Sequence, residues 1–257
     1  MSAVVLKIGG STLGAHDTTL EDVVALQRAG RRVVVVHGGG PQATEWLKLH
    51  GVGTQFVRGL RVTDPAALEV VVAVLAGLVN KQITGALNAR GGRAVGLSGA
   101  DGPTVLAEVR EPELGRVGAV REVRTGLLAE LLGAGYVPVL SSIGLDVAAP
   151  SPDAALLNIN ADTVAGEVAA ALGAARLVFL TDVPGVQDGA GVVRARLAPD
   201  EAEALVRAGV VSGGMIPKVE ACLRAARAGT DSVIVDGREP HALLAALNAA
   251  AVGTRIG

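Results

Sequence analysis

Two lysines stand out in a chain that otherwise avoids lysine. The sequence holds four lysines against nineteen arginines, so arginine carries the ordinary surface charge. Lys7 sits inside an apolar run and immediately precedes Gly9-Gly10, and Lys218 opens a helix-period segment just after Gly213-Gly214. A compact ammonium beside a glycine turn suits a phosphoryl oxygen better than it suits a solvated face. Lys48 and Lys81 fall on helix-period segments and read as ordinary surface charges.

Glycine gathers at three places where strands should end: Lys7-Ile8-Gly9-Gly10-Ser11, His37-Gly38-Gly39-Gly40-Pro41 and Ser212-Gly213-Gly214-Met215. In an open α/β sheet, ligands bind beyond the carboxyl ends of the strands. Glycine there lets backbone N–H groups approach an anion, and a following helix adds its positive end. A tight turn explains any one of these segments; three of them, two coupled to lysines, point to phosphate binding. Neither common phosphate motif is present. There is no G-x-x-x-x-G-K-[ST] run, and no G-x-G-x-x-G follows the first strand. The His37–Gly40 segment is similar to an esterase oxyanion loop, but the required G-x-S-x-G elbow is missing.

A further polar cluster is Leu157-Asn158-Ile159-Asn160-Ala161-Asp162, with three short polar groups at spacing two just before a helix. Asn158 and Asn160 point the same way if this segment is extended. Asp162 could be a helix N-cap or an electrostatic partner for the lysines. Asp17 and Asp231 belong to turns, and His37 reads as a structural strand-end residue.

The elements that must position these groups alternate. Strands are expected at Ala3–Ile8, Val33–His37, Arg93–Leu97, Val137–Leu140, Leu177–Thr181 and Ser232–Val235. Helices are expected at Thr18–Gly30, Gln42–Gly51, Pro65–Arg90, Leu127–Gly135, Asp162–Gly173, Asp200–Gly209, Met215–Gly229 and Pro240–Ala250. Thr104–Glu111 and Val117–Val123 look like a hairpin on the sheet edge. The alternation predicts an α/β protein with a mostly parallel sheet and helices on both faces. A new strand–turn–helix series starts near Gly173–Arg176, which suggests lobes of residues 1–175 and 176–257.

Composition supports that class. Half of the 257 residues are hydrophobic, only four are aromatic, and 35 are glycine. The core must come from Val, Leu, Ile and Ala, as in parallel sheets buried on both faces. The formal net charge of −2 argues against a nucleic-acid binder that relies on a basic field. Cys222 is the only cysteine, which excludes an internal disulfide and a cysteine-based zinc site. The N-terminus does not look like a signal peptide. Uncharged runs such as Leu131–Leu145 stop at roughly fifteen residues, short of the ~20 that span a bilayer. A soluble cytoplasmic protein is expected.

Six segments together carry a resemblance. Lys7-Ile8-Gly9-Gly10, His37-Gly38-Gly39-Gly40-Pro41, Gly59-Leu60-Arg61-Val62-Thr63-Asp64, Asn158-x-Asn160-Ala161-Asp162, Thr181-Asp182-Val183-x-Gly185-Val186 and Gly213-Gly214-Met215-Ile216-x-Lys218 occur in this order. The chain resembles the amino-acid kinase family over essentially its whole length, and Gly59–Asp64 is most similar to the branch acting on N-acetylglutamate. The resemblance implies an open three-layer α/β/α sandwich that phosphorylates the side-chain carboxylate of N-acetyl-L-glutamate with Mg2+-ATP. It implies that Lys7, Lys218 and Asp162 form the catalytic set. Gly38, Gly39, Arg61, Asn158 and Asn160 would bind the acceptor. Gly9, Gly10, Asp182, Val183, Gly185, Val186, Gln187, Ser212, Gly213 and Gly214 would bind ATP, with no protein ligand to the metal. Some relatives carry a helix ahead of the first strand that builds an arginine-inhibited hexamer. Here the strand starts at Ala3, so a homodimer is expected. Two alternatives are a kinase for carrier-protein-linked α-aminoadipate and a non-catalytic nucleotide-binding sensor of the same fold.

Overall fold

The structure, a computed structural model, describes residues 2–9, 18–149, 151–248 and 252–257. In chain order its first half comprises β1 (Val4–Ile8), α1 (Thr19–Arg28), β2 (Val33–His37), α2 (Gly40–Leu49), β3 (Phe56–Val57), β4 (Leu60–Arg61), α3 (Pro65–Val72), a π-helical stretch (Ala73–Val79), α4 (Asn80–Ala89), β5 (Ala94–Ser98), β6 (Val105–Val109) and β7 (Val117–Val123). There follow α5 (Gly126–Gly133), β8 (Val137–Ser141), β9 (Ile143–Asp146), β10 (Leu156–Ile159), α6 (Ala161–Leu172), β11 (Arg176–Thr181), β12 (Arg196–Leu197), α7 (Pro199–Arg207), α8 (Met215–Arg227), β13 (Asp231–Asp236), α9 (Ala242–Leu247) and β14 (Thr254–Ile256).

Eight strands form the central sheet in the order β12-β14-β13-β11-β1-β2-β8-β5. All neighbours run parallel except β13 and β14. The expected α/β/α sandwich is therefore present. Both sheet faces are covered, which explains the unbroken apolar strands. Val33 and Val35 of β2 face the layer of α1 to α4 and α9, while Val34 and Val36 face that of α5, α6 and α8. On β1 the same alternation turns Val5 toward α6. Lys7, two residues on, points to that face as well. Parallel pairing places the carboxyl ends of β1, β2, β8 and β11 along one rim, where the turns at Gly9 and Gly38–Gly40 begin; Ser212–Gly214, expected at a strand end, instead joins α7 to α8.

Three sequence expectations need correction. The segments around Thr104–Glu111 and Val117–Val123 do pair, but not on the sheet edge. As β6 and β7 they join β9 and β10 in a separate small closed barrel. Short strands with distant partners leave no local periodicity to announce such a barrel. The expected helix Pro65–Arg90 is one continuous helical rod, but with a π-helical stretch at Ala73–Val79. At 25 residues, Pro65–Ala89 is also long and apolar enough by length and composition to cross a membrane, contrary to the reading from uncharged runs. Its Val71, Val74, Leu75, Val79, Ile83 and Leu87 are buried in the protein core, so it serves as a core helix with one exposed face.

Candidate active site

Helix α6 starts the site. Asn160 is its N-cap, and its Oδ1 accepts from the N–H groups of Asp162 (2.9 Å) and Thr163 (3.1 Å). Asn160 thus takes the capping role that the sequence left open for Asp162. Asp162, in the first turn at the positive end of the helix dipole, is left to interact elsewhere. Its carboxylate is clasped from two sides. Lys7 Nζ lies 2.9 Å from Oδ1 and Lys218 Nζ lies 3.0 Å from Oδ2. The three side chains are only 8%, 14% and 7% exposed for Lys7, Lys218 and Asp162. Lys218 reaches this point from the first turns of α8 and also donates to Gly214 O at 3.3 Å.

Burial alone would raise the Asp162 carboxyl, but the two ammonium groups outweigh it and hold the group below the usual carboxylate range. Burial lowers Lys7, and the Lys218 charge acts in the same direction, while Asp162 pulls it back. With two cations and one anion, the cluster is a buried unit of net charge +1. Such an excess needs an anionic ligand to complete it.

Two cavities meet at Asp162. The first, of about 210 Å³, includes Lys7, Gly38, Gly39, Arg61 and Asn158 in its wall. Gly39 sits at φ +152°, a conformation that side-chain-bearing residues rarely adopt, and a Cβ there would come within 2.7 Å of Leu75 Cδ2. Arg61, at the end of the β3–β4 hairpin, is buried. Its Nη2 donates to Gly40 O (3.0 Å) and Thr44 Oγ1 (2.7 Å), and its guanidinium stacks 4.7 Å from the Phe56 ring centre. Its Nη1 is buried without a hydrogen-bond partner. Asn158 Nδ2 donates to Thr63 Oγ1 (3.1 Å), leaving its carbonyl oxygen for a ligand. Asn160 also lines this wall, although its own oxygen is committed to the cap.

The second cavity, about 450 Å³, lies across Asp162 and has Gly213, Gly214, Thr163 and Lys218 in its wall. A third, of about 300 Å³, is lined by Val183, Gly185, Val186, Gln187 and Ser212. Asp182 stands next to it at the end of β11 and accepts from Thr181 Oγ1 at 3.2 Å. Gly9 follows Lys7 at the rim, its N–H directed to Leu180 O at 3.4 Å. Gly10 lies outside the described residues.

The structure thus brings the two lysines and Asp162 together between a wall holding Gly38, Gly39, Arg61 and Asn158 and one holding Gly213 and Gly214. Sequence reasoning missed Thr44 and Thr63, which brace Arg61 and Asn158. Thr44 lies one helical turn after Gly40 and also donates to its carbonyl (2.9 Å), a spacing that could have flagged it.

The chain is similar to known proteins over nearly its whole length. The profile of the amino acid kinase family matches residues 2–236. The acetylglutamate kinase of Dehalococcoides mccartyi (strain CBDB1) is 45% identical over 254 residues, covering 98% of this chain and 93% of that protein. The acetylglutamate kinase of Methanothrix thermoacetophila is 43% identical over 271 residues, covering 99% and 92%. Among solved structures, a Streptococcus mutans UA159 protein superposes with a TM-score of 0.83 at 28% identity, covering 99% and 98% of the two chains.

Proposed function

The chain belongs to the amino acid kinase family, and from that premise we propose that it transfers the γ-phosphoryl group of ATP to the side-chain carboxylate of N-acetyl-L-glutamate, forming an acyl phosphate in arginine biosynthesis. The observation that carries the reading is the buried Lys7–Asp162–Lys218 cluster of net charge +1 where two cavities meet.

The acceptor takes the first cavity. Its α-carboxylate pairs with Arg61, whose Nη1 lacks a partner, and Asn158 and the Gly38–Gly39 turn hold the acetamide end. The phosphates run along Gly213, Gly214 and Lys218 in the second cavity, and the nucleoside lies toward Val183–Gln187 and Ser212 in the third. Residues 1–175 then form the acceptor lobe and 176–257 the nucleotide lobe, meeting at the β1–β11 pair.

A side-chain carboxyl with an ordinary pKa near 4 is already ionised at neutral pH, so the nucleophile needs no base. The difficulty is bringing an anion to a polyanion while charge spreads over the transferring oxygens. Lys7 faces the acceptor side and Lys218 the donor side, so together they bracket the transferring group. Asp162 holds both ammonium groups at fixed positions and carries no proton through the reaction. Mg2+ would ride on the ATP phosphates and water, supplying charge neutralisation.

An organiser and a base differ in their pH signature. Asp162→Asn should lower kcat by about tenfold or more, because the two ammonium groups lose their common anchor. The kcat–pH profile should keep its shape between pH 6 and 9. A wild-type limb near neutrality that vanishes in the variant would make Asp162 the base instead.

The protein is proposed to be a cytoplasmic homodimer with no nucleic-acid or membrane partner. The exposed, largely apolar side of Pro65–Ala89 beside the β5 sheet edge supports an isologous contact. Ala73→Glu, on that exposed side, should convert a dimer to a monomer in light scattering. A wild-type monomer at micromolar concentration rules the contact out.

The decisive assay is ATP consumption over a panel of acylated amino acids, with the acyl phosphate trapped by hydroxylamine. Turnover of free N-acetylglutamate is expected. A protein inert on it but active on carrier-linked α-aminoadipate would reassign the acceptor. Arg58, an exposed cation near the site, is already paired with Glu111 and lies 3.8 Å from Glu113, which favours the free substrate. Joint retention of Lys7, Asp162 and Lys218 in one cluster opposes the sensor reading.

A further inference from the structure

Beneath the Gly38–Gly39 turn lies a buried polar chain with no place in the phosphoryl-transfer scheme. His37 and Asn80 are 1% and 0% exposed. Asn80 Nδ2 lies 3.1 Å from Leu97 O, 2.8 Å from Val139 O and 3.0 Å from His37 Nε2. Its Oδ1 accepts from Lys81 Nζ at 3.1 Å. On the other side of the imidazole, His37 Nδ1 lies 2.8 Å from Gly38 O.

The chemistry of these partners leaves one arrangement. Leu97 O and Val139 O are carbonyls and can only accept, so the Asn80 atom between them must be the NH2 group. The amide's two protons are shared among these three acceptors, and His37 Nε2, facing a group that cannot accept, presents its lone pair. Gly38 O likewise can only accept, so Nδ1 must carry the proton. Both ends of the ring demand the same neutral tautomer. Burial lowers the His37 pKa to about 4, and the charges of Lys7 and Lys81 act in the same direction, so the ring stays neutral through the physiological range.

We propose that Asn80 and His37 are positioning residues for the acceptor site: Asn80 locks the His37 ring in its Nδ1–H form, and the ring fixes the orientation of the Gly38–Gly39 peptide. The C=O and N–H of a trans peptide point in opposite directions. Anchoring Gly38 O against His37 therefore turns the Gly39 N–H away from the ring, to the side where Gly38, Gly39 and Gly40 line the first cavity. Gly39 O is held by the Ala43 N–H and Gly40 O by Arg61 and Thr44, and His37 supplies the bond at Gly38 O. The same helical rod closes the turn from behind, since Leu75 and Val79 lie where a Gly39 Cβ would project. The inference rests on the acceptor reading of that cavity.

The test pairs spectroscopy with kinetics. Long-range ¹H–¹⁵N spectra of histidine-labelled wild type should show the His37 signal, identified by its absence in His37→Asn, as the Nδ1–H tautomer, unchanged from pH 5.5 to 8. An Nε2–H tautomer overturns the proposal whatever the enzyme's substrate. Asparagine can place an amide N–H where Nδ1 stands, whereas glutamine reaches the Nε2 position. His37→Gln should therefore lose the Gly38 anchor and raise the KM for N-acetylglutamate about fivefold to tenfold, as expected for one hydrogen bond. His37→Asn should stay within about twofold of wild type, and neither variant should move the KM for ATP by more than about twofold. Equal KM values in the two variants would show that His37 only fills space. A wild type inert on N-acetylglutamate would sink the functional reading, while the tautomer measurement would still decide the lock.

Discussion

Lys218→Ala is expected to lower kcat for acyl-phosphate formation by about 10²-fold or more, equivalent to roughly 2.7 kcal/mol of lost transition-state stabilisation. Lys7→Ala should do the same. Either change turns a clasp of net charge +1 into a neutral pair, with Asp162 still bound to the remaining lysine. The surviving pair explains why folding should hold, since neither variant strands a buried carboxylate alone. Lys7 is buried along its stem, so Lys7→Met serves as a volume-matched control that removes charge without opening a cavity. It should be as inactive as Lys7→Ala while melting closer to wild type. Near-wild-type turnover in both alanine variants would remove the lysines from the chemistry.

The second large effect concerns acceptor binding. Arg61→Lys should raise the KM for N-acetylglutamate about tenfold or more and leave the KM for ATP within a few-fold, because a charge-assisted hydrogen bond contributes roughly 1.5–3 kcal/mol. The structure sharpens the reason. Arg61 uses Nη2 on Gly40 O and Thr44 Oγ1 while Nη1 stays unpartnered in the same buried place. A guanidinium can brace itself with one nitrogen and bind a carboxylate with another; a single ammonium must choose. Thr44→Val, which removes only the brace, should give a smaller rise in the same constant. An unchanged KM in Arg61→Lys would mean that the α-carboxylate lies elsewhere, and the first cavity would need a different ligand.

These expectations draw on two kinds of information. Strand and helix positions, the layered α/β class and the glycine turns were readable along the chain. Apolar runs of four to six residues and helix-period segments are local signals, and Gly at strand ends reports a backbone need rather than a partner. Lys7 and Lys218 were conspicuous for a related reason: an ammonium inside an apolar strand or beside a glycine turn violates its local surroundings. Gly59–Asp64 and the other segments likewise carried the family resemblance without coordinates.

Whatever depends on distant partners was decided only by the fold. Nothing near Asp162 in the chain says that it stands between Lys7, on the face of β1 turned toward α6, and Lys218, 56 residues further on. Parallel pairing of β1 and β11 and the packing of α6 beside α8 place them together. The N-cap assignment moved from Asp162 to Asn160 because the strand ends at Ile159, one residue before the turn. The expected edge hairpin became half of a barrel because β9 and β10, too short to register alone, supply the other two strands. His37 looked like a strand-end filler and Lys81 like a surface charge, and Asn80 gave no signal. Their chain of hydrogen bonds exists only where the rod Pro65–Ala89 crosses the ends of β2, β5 and β8. Hydrophobic periodicity is written in neighbours along the chain, whereas a buried polar group is defined by what the tertiary structure sets against it.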